Sequence, residues 1–259
     1  ELTAVGVSAL EKNTTGAHHV SVGAYSLQSN TTGDENTAVG KSALGYNETG
    51  NKNTAVGRSA LSANLSSENT AVGYKSLLAN TTGAYNTAIG AYALDANTTA
   101  SYNVAVGDQA LEKNETGHSN VAVGYQALEE NTTGGSNVAV GAYALDVITT
   151  ENDCTAIGAV ALSANTASNN TAVGSNALAA NTSGIYNSSL GRTSLYDNTT
   201  GSNLTAMGFD ALRGNTTGND NTAFGFQVLR TNTTGVRNVG VGNSALRANS
   251  TASDNTAVG

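Results

Sequence analysis

The residues most able to carry chemistry in this 259-residue chain are asparagines with a hydroxyl two places later. Asn-x-Ser/Thr is the acceptor pattern for N-glycosylation, because the hydroxyl assists attack by the amide nitrogen, and it is expected on exposed turns. It recurs at Asn13, Asn30, Asn47, Asn64, Asn80, Asn97, Asn114, Asn131, Asn181, Asn198, Asn215, Asn232 and Asn249, most often as Asn-Thr-Thr-Gly, with Asn169, Asn187 and Asn203 as matches outside this row. "NETG", "NLSS" and "NTSG" change the middle residue or exchange Thr for Ser and keep the pattern. Two readings stand side by side: a row of N-glycans, or bare polar turns in which Gly supplies positive φ. A second candidate is a stripe of acids, Asp95, Glu112, Glu129 and Asp146, followed further on by Arg213, Arg230 and Arg247. The stripe is either a solvated edge, a weak Ca²⁺ site, or one half of a pairing between acidic and basic stretches of different fibres.

Other chemistry finds no support. His18, His19 and His118 have no Cys or Asp at metal-ligand spacing, and there is no G-x-S-x-G elbow or Walker loop, so no catalytic residue and no cofactor is expected. Lone Cys154 excludes a disulfide framework within the chain. A net charge of −8 argues against a nucleic-acid partner, and no apolar run is long enough for a membrane segment.

What must position these residues is a repeat. A glycine closes an "AVG"-like triplet at 6, 23, 40, 57, 73, 90, 107, 124, 141, 158, 174, 191, 208, 225, 242 and 259, a 17-residue period broken by two 16-residue spacings. Positions are counted from this marker glycine. Position −1 is Val, Ile, Leu, Met or Phe, −2 is Ala, Ser or Gly, and −3 is mostly Thr or Val, which alternates as a strand does. Position +4 is Leu in every coil, and a second short strand is expected at x-x-A-L. Glycine interrupts each unit too often for a helix. The reading is all-β: a parallel β-solenoid of about fifteen coils, one repeat array over 1–259, which bridges its apolar face by stacking. The pattern runs from "ELTAVG" to "NTAVG" without atypical end repeats, as a slice of a longer fibre would.

Three columns carry structural expectations. Position −1 is expected to supply the inward bulk. The small −2 column is then expected to be approached closely, by the coil's own second sheet or, as favoured here, by a second copy about a three-fold axis. The Asn column at −4, Asn36, Asn53, Asn69, Asn86, Asn103, Asn120, Asn137 and Asn170, is expected to form an amide ladder from coil to coil.

At "NTAVGKSAL", 36–44, Ala38, Val39, Gly40 and Ala43 resemble the head repeats of YadA-like trimeric autotransporter adhesins and related phage tail-fibre repeats, with counterparts in nearly every coil. The resemblance implies a left-handed β-roll, a homotrimer, and an adhesive or shaft role outside the cell, on a cell or virion surface. The N-T-T-G insertion departs from it. The expected function is a structural extracellular fibre or coat segment with glycans on its turns. The alternatives are an adhesin head binding a receptor or carbohydrate, and an ice-binding Thr array.

Overall fold

A computed structural model describes all residues 1–259. It contains sixteen short strands and no helix: Leu2–Val5, His19–Val22, and fourteen of three residues each from Thr37–Val39 to Thr256–Val258. Each ends at the residue before a marker glycine. The chain divides into two compact units, Glu1–Gly134 and Gly135–Gly259. Within each, every strand pairs in parallel with the next strand in sequence, Val on Val and Ala on Ala. The architecture is the expected parallel β-solenoid. The 16-residue coils keep this register, pairing Thr54 with Thr70 and Thr155 with Thr171, so the missing residue is absorbed outside the strand.

The expected second strand at x-x-A-L does not form. Positions +2 and +4 in each coil have φ near +55°, as at Tyr25 and Leu27 or Tyr92 and Leu94, and −5 does the same at Glu35 and Tyr102. Left-handed residues at two positions of one short segment turn the chain repeatedly, which an extended strand cannot do. Such a conformation costs an L-residue roughly 1–2 kcal/mol. Coil-to-coil bonding offsets that strain: Leu27 N–H donates to the Ala43 carbonyl at 3.0 Å, and Ser29 N–H donates to that of Gly45 at 3.0 Å. The strained corner is therefore hydrogen-bonded to its neighbours along its length without being sheet. Val160 and Thr193, both β-branched, accept the same geometry at +2.

The marker glycine is fixed by two constraints at once. Its φ lies between +124° and +142° in all sixteen places. A Cβ at Gly107 would also stand 2.3 Å from the Gly124 carbonyl oxygen. The glycine of N-T-T-G is different, for it does not adopt positive φ. Its carbonyl points inward, as described below.

The inside and outside of the strand are reversed from expectation. Position −2 is the core: Ala38, Ala55, Ala88, Ala105, Ala156 and Ala172 are wholly buried. Position −1 faces out, with Ile89 and Ile157 41% exposed and Phe224 51% exposed. The surface that closes on the small −2 residues is the coil's own +3/+4 corner, where Ala43, Leu44, Ala93 and Leu94 are fully buried. Two serine pairs record the contact. Ser21 Oγ lies 2.6 Å from Ser26 Oγ, and Ser189 Oγ lies 2.5 Å from Ser194 Oγ, each joining −2 to +3. Where +3 is enlarged to Val228, the −2 residue of the following coil shrinks to Gly240, whose missing Cβ would sit 2.4 Å from Val228 Cγ1. The interior is thin and filled by Ala and Leu, so no second copy is needed to complete it.

Candidate functional site: two interior asparagine ladders

The sequence sets the Asn of N-T-T-G immediately after the Leu corner, and the corner turns its side chain inward. Asn30, Asn47, Asn64, Asn80, Asn97, Asn114, Asn131, Asn181, Asn198, Asn215 and Asn232 are wholly buried, and only Asn13 and Asn249, in the terminal coils, are half-exposed. Each Nδ2 has two protons, and both are used. One goes to the Oδ1 of the preceding Asn in the column: Asn30 to Asn13 at 2.8 Å, Asn97 to Asn80 at 2.8 Å, Asn114 to Asn97 at 3.0 Å, and, in the second unit, Asn198 to Asn181 at 2.8 Å. The other goes to the backbone carbonyl three residues on, as from Asn47 to Gly50 at 3.0 Å and Asn215 to Gly218 at 3.0 Å. A glycan replaces one of these protons and needs open space beside the nitrogen. The buried Asn residues have neither to give, so the structure corrects the glycosylation reading of this column: its asparagines are the skeleton of the coil. The middle residue of the motif, at +8, ties one coil to the next: Thr31 Oγ1 donates to the Glu48 carbonyl and Thr199 Oγ1 to that of Thr216, both at 3.0 Å.

The −4 column makes a second ladder of a different kind. Here the side-chain oxygen accepts from the backbone N–H of the next Asn: Asn53 N–H to Asn36 Oδ1 at 2.9 Å, Asn69 to Asn53 at 3.0 Å, Asn86 to Asn69 at 2.9 Å, Asn103 to Asn86 at 3.0 Å and Asn120 to Asn103 at 2.9 Å. Asn137 Oδ1 accepts from Cys154 N–H and Asn170 Oδ1 from Asn187 N–H, both at 3.0 Å. The links among these residues are thus amide to backbone, and the expected amide-to-amide bond appears only further along the column, from Asn238 to Asn221 at 3.1 Å and from Asn255 to Asn238 at 3.0 Å. Each Nδ2 reaches the same inward carbonyl that the other ladder uses: Gly50 O accepts from Asn36 at 2.7 Å and from Asn47 at 3.0 Å. Two columns eleven residues apart therefore share one row of carbonyls. In the 16-residue coils, Ser66 and Ala167 supply that carbonyl from one position earlier.

Substitutions in the ladders reveal what the columns require. His19 stands at −4 and imitates the amide. Its Nδ1 accepts from Asn36 N–H at 3.2 Å, which leaves Nε2 as the protonated nitrogen, on the side of the Gly33 carbonyl. Burial holds this imidazole below its usual range. Cys154 also stands at −4. Its Sγ is 3.2 Å from the Ala167 carbonyl, and burial pushes the thiol up, which keeps it protonated and inert. In the +7 column Ile148 can neither donate nor accept, and Asn131 Oδ1 is buried with no hydrogen-bond partner.

The acidic stripe is not gathered into a metal centre. No three His, Cys, Asp or Glu side chains converge anywhere, so Asp95, Glu112, Glu129 and Asp146 lack the geometry of a Ca²⁺ site. Asp95 is pushed up by burial and, in the same direction, by Glu112, against the pull of Lys75. No helix is long and apolar enough to cross a membrane.

Sequence reasoning missed the −2/+3 pairing and the inward turn of N-T-T-G. The first was written in the coupled exceptions, Ser with Ser and Gly with Val. The second had a weaker trace: a residue that both donates and accepts is the one polar type that can stack on itself inside. The chain matches no protein-family model, no curated protein and no solved structure.

Proposed function

We propose that this chain is a structural segment of an extracellular fibre, on a cell or virion surface, that assembles as a homotrimer and serves as a shaft or adhesive coat. The observation that carries the reading is the outward −1 column. Val, Ile, Leu, Met or Phe stands there in all sixteen strands, at a position where Thr would satisfy the strand equally well. With Thr or Val beside it at −3, it forms an apolar band along the sheet of each unit. In the second unit this face includes a groove of about 270 Å³ lined by Val173, Leu190, Met207 and their neighbours. Exposed contiguous apolar surface of this kind marks association. Close contact between copies thus falls to the −1 column, and the −2 column is internal.

Multi-angle light scattering tests this directly. The native chain is expected at three times its 25.9 kDa mass. Val72→Asp, Ile89→Asp and Val106→Asp together are expected to give one chain with its β-sheet circular dichroism retained. A native chain that runs as one copy contradicts the reading.

A carbohydrate-binding role is a second reading, favoured by Tyr85 and Tyr102. Their exposed rings stack on each other 5.1 Å apart at 2°, a fixed aromatic pair of the kind that packs against sugars. Loss of binding to a glycan array on Tyr85→Ala with Tyr102→Ala would support it, and absence of any glycan binding by the native chain would remove it.

A further inference from the structure

The +5 column carries opposite charges in different parts of the chain. Residues 95–153 hold nine acids and one cation, Lys113, whereas 192–247 hold five arginines and three aspartates. Within each part, the column is a regular row. The backbone carbonyls of Asp95, Glu112 and Glu129 each accept the +6 N–H of the preceding coil, at 3.0, 3.0 and 3.1 Å. Those of Arg213, Arg230 and Arg247 make the same bond at 2.9, 2.9 and 3.2 Å. Both rows therefore advance by one strand spacing, about 4.8 Å per charge. Like charges at that spacing repel.

The arginine row is under-neutralised from within. A single buried carboxylate, Asp210, lies beneath it, accepting from Arg230 Nε at 3.1 Å and standing 3.9 Å from Arg213 Nε. Asp210 is already occupied by the Thr193 hydroxyl at 2.7 Å. Arg213 Nε is buried without a hydrogen-bond partner. Beside the row runs a groove of about 620 Å³ lined by Arg213 and Arg230, by Gly214, Thr216, Thr231 and Thr233, and by one carboxylate, Asp197, so that the arginines outnumber the acids two to one. It is wide enough for carboxylate side chains to enter.

We propose that the arginine row and its groove dock the acidic row Asp95, Glu112, Glu129 of a second copy of this chain. Equal spacing lets three carboxylates meet three guanidiniums together, and each contact relieves repulsion in both rows. The contact is independent of the apolar band: it joins assemblies laterally and is screened by salt, whereas the band is not.

Sedimentation velocity at low and at high salt tests it. The native protein is expected to show, below about 0.03 M salt, a species of twice the high-salt mass, with Arg213→Gln plus Arg230→Gln weakening it about tenfold. Arg213→Glu plus Arg230→Glu should abolish it, as should Glu112→Arg plus Glu129→Arg, and an equimolar mixture of the two variants should restore it. Circular dichroism identical to native certifies each variant, and the glutamine pair serves if a charge-reversed chain is not folded. The proposal is overturned if the native mass does not change with salt, if the reversed variants still double, or if the mixture fails to. Low-salt binding of a sulfated oligosaccharide without doubling would also overturn it, assigning the groove to a free polyanion. The high-salt mass separately reports the band-dependent trimer, so the two claims fail independently.

Discussion

At the scale of the residue, the molecule is decided by what a buried amide can do. Asparagine is usually an exposed turn former. Here it is tolerated inside because one residue's Nδ2 meets the preceding one's Oδ1, leaving few orphans, and orphans are what make buried polar groups costly. His19 provides a pH test of this logic. Its folded form is neutral and held below the usual imidazole range, so the unfolded chain takes up a proton first as pH falls. Stability at this coil is therefore full above about pH 6.5 and lost progressively below it. The protection factor of the Asn36 amide, hydrogen exchange corrected for its slower intrinsic rate in acid, should fall on acidification through that range, and His19→Asn should flatten the profile. A profile unchanged by His19→Asn contradicts the assignment. Cys154 gives the complementary case. Cys154→Asn supplies an Oδ1 for the Asn170 N–H and an Nδ2 for the Ala167 carbonyl, the pair used elsewhere in the column. A gain of about 1 kcal/mol in chemical denaturation is expected.

At the scale of the element, the coil is a three-residue strand closed by a strained but hydrogen-bonded corner. Its period and strand position were legible, because the marker glycine and the −3 to −1 alternation depend on local sterics. Its polarity was not. Val at −1 and Ala at −2 are both apolar, and bulk alone points the larger one inward. The interior is too thin for that, since Leu at +4 comes across from the corner and leaves room only for Ala opposite. The second strand was misread for a related reason: an x-x-A-L segment with left-handed residues at two positions has no side-chain signature that separates it from β. The coupled columns make the packing testable. Gly240→Ala alone places a Cβ 2.4 Å from Val228 Cγ1 and should cost about 2 kcal/mol. Adding Val228→Ala should recover most of it. Additive losses in that double-mutant cycle would show that −2 and +3 do not meet.

At the scale of the whole molecule, each unit separates its tasks by side. The interior holds the ladders, the outer sheet face holds the apolar band, and the corner after Leu holds the charges. The sequence exposed the repeat, the two Asn columns and the charged column, but placed the N-T-T-G column on the wrong side, because an Asn-x-Thr turn looks the same as text whether its amide faces water or its neighbour. The claim that this amide faces inward underlies the rest, and intact-mass spectrometry tests it most directly. The chain should be secreted from a host that glycosylates secreted proteins. The expected mass is that of the polypeptide, 25.9 kDa, with additions confined to the half-exposed terminal positions Asn13 and Asn249 and to the exposed Asn-x-Thr positions outside the column, Asn169 and Asn203. A folded, soluble chain carrying sugars at Asn80, Asn97 or Asn114, lost on enzymatic deglycosylation, would contradict the interior ladder.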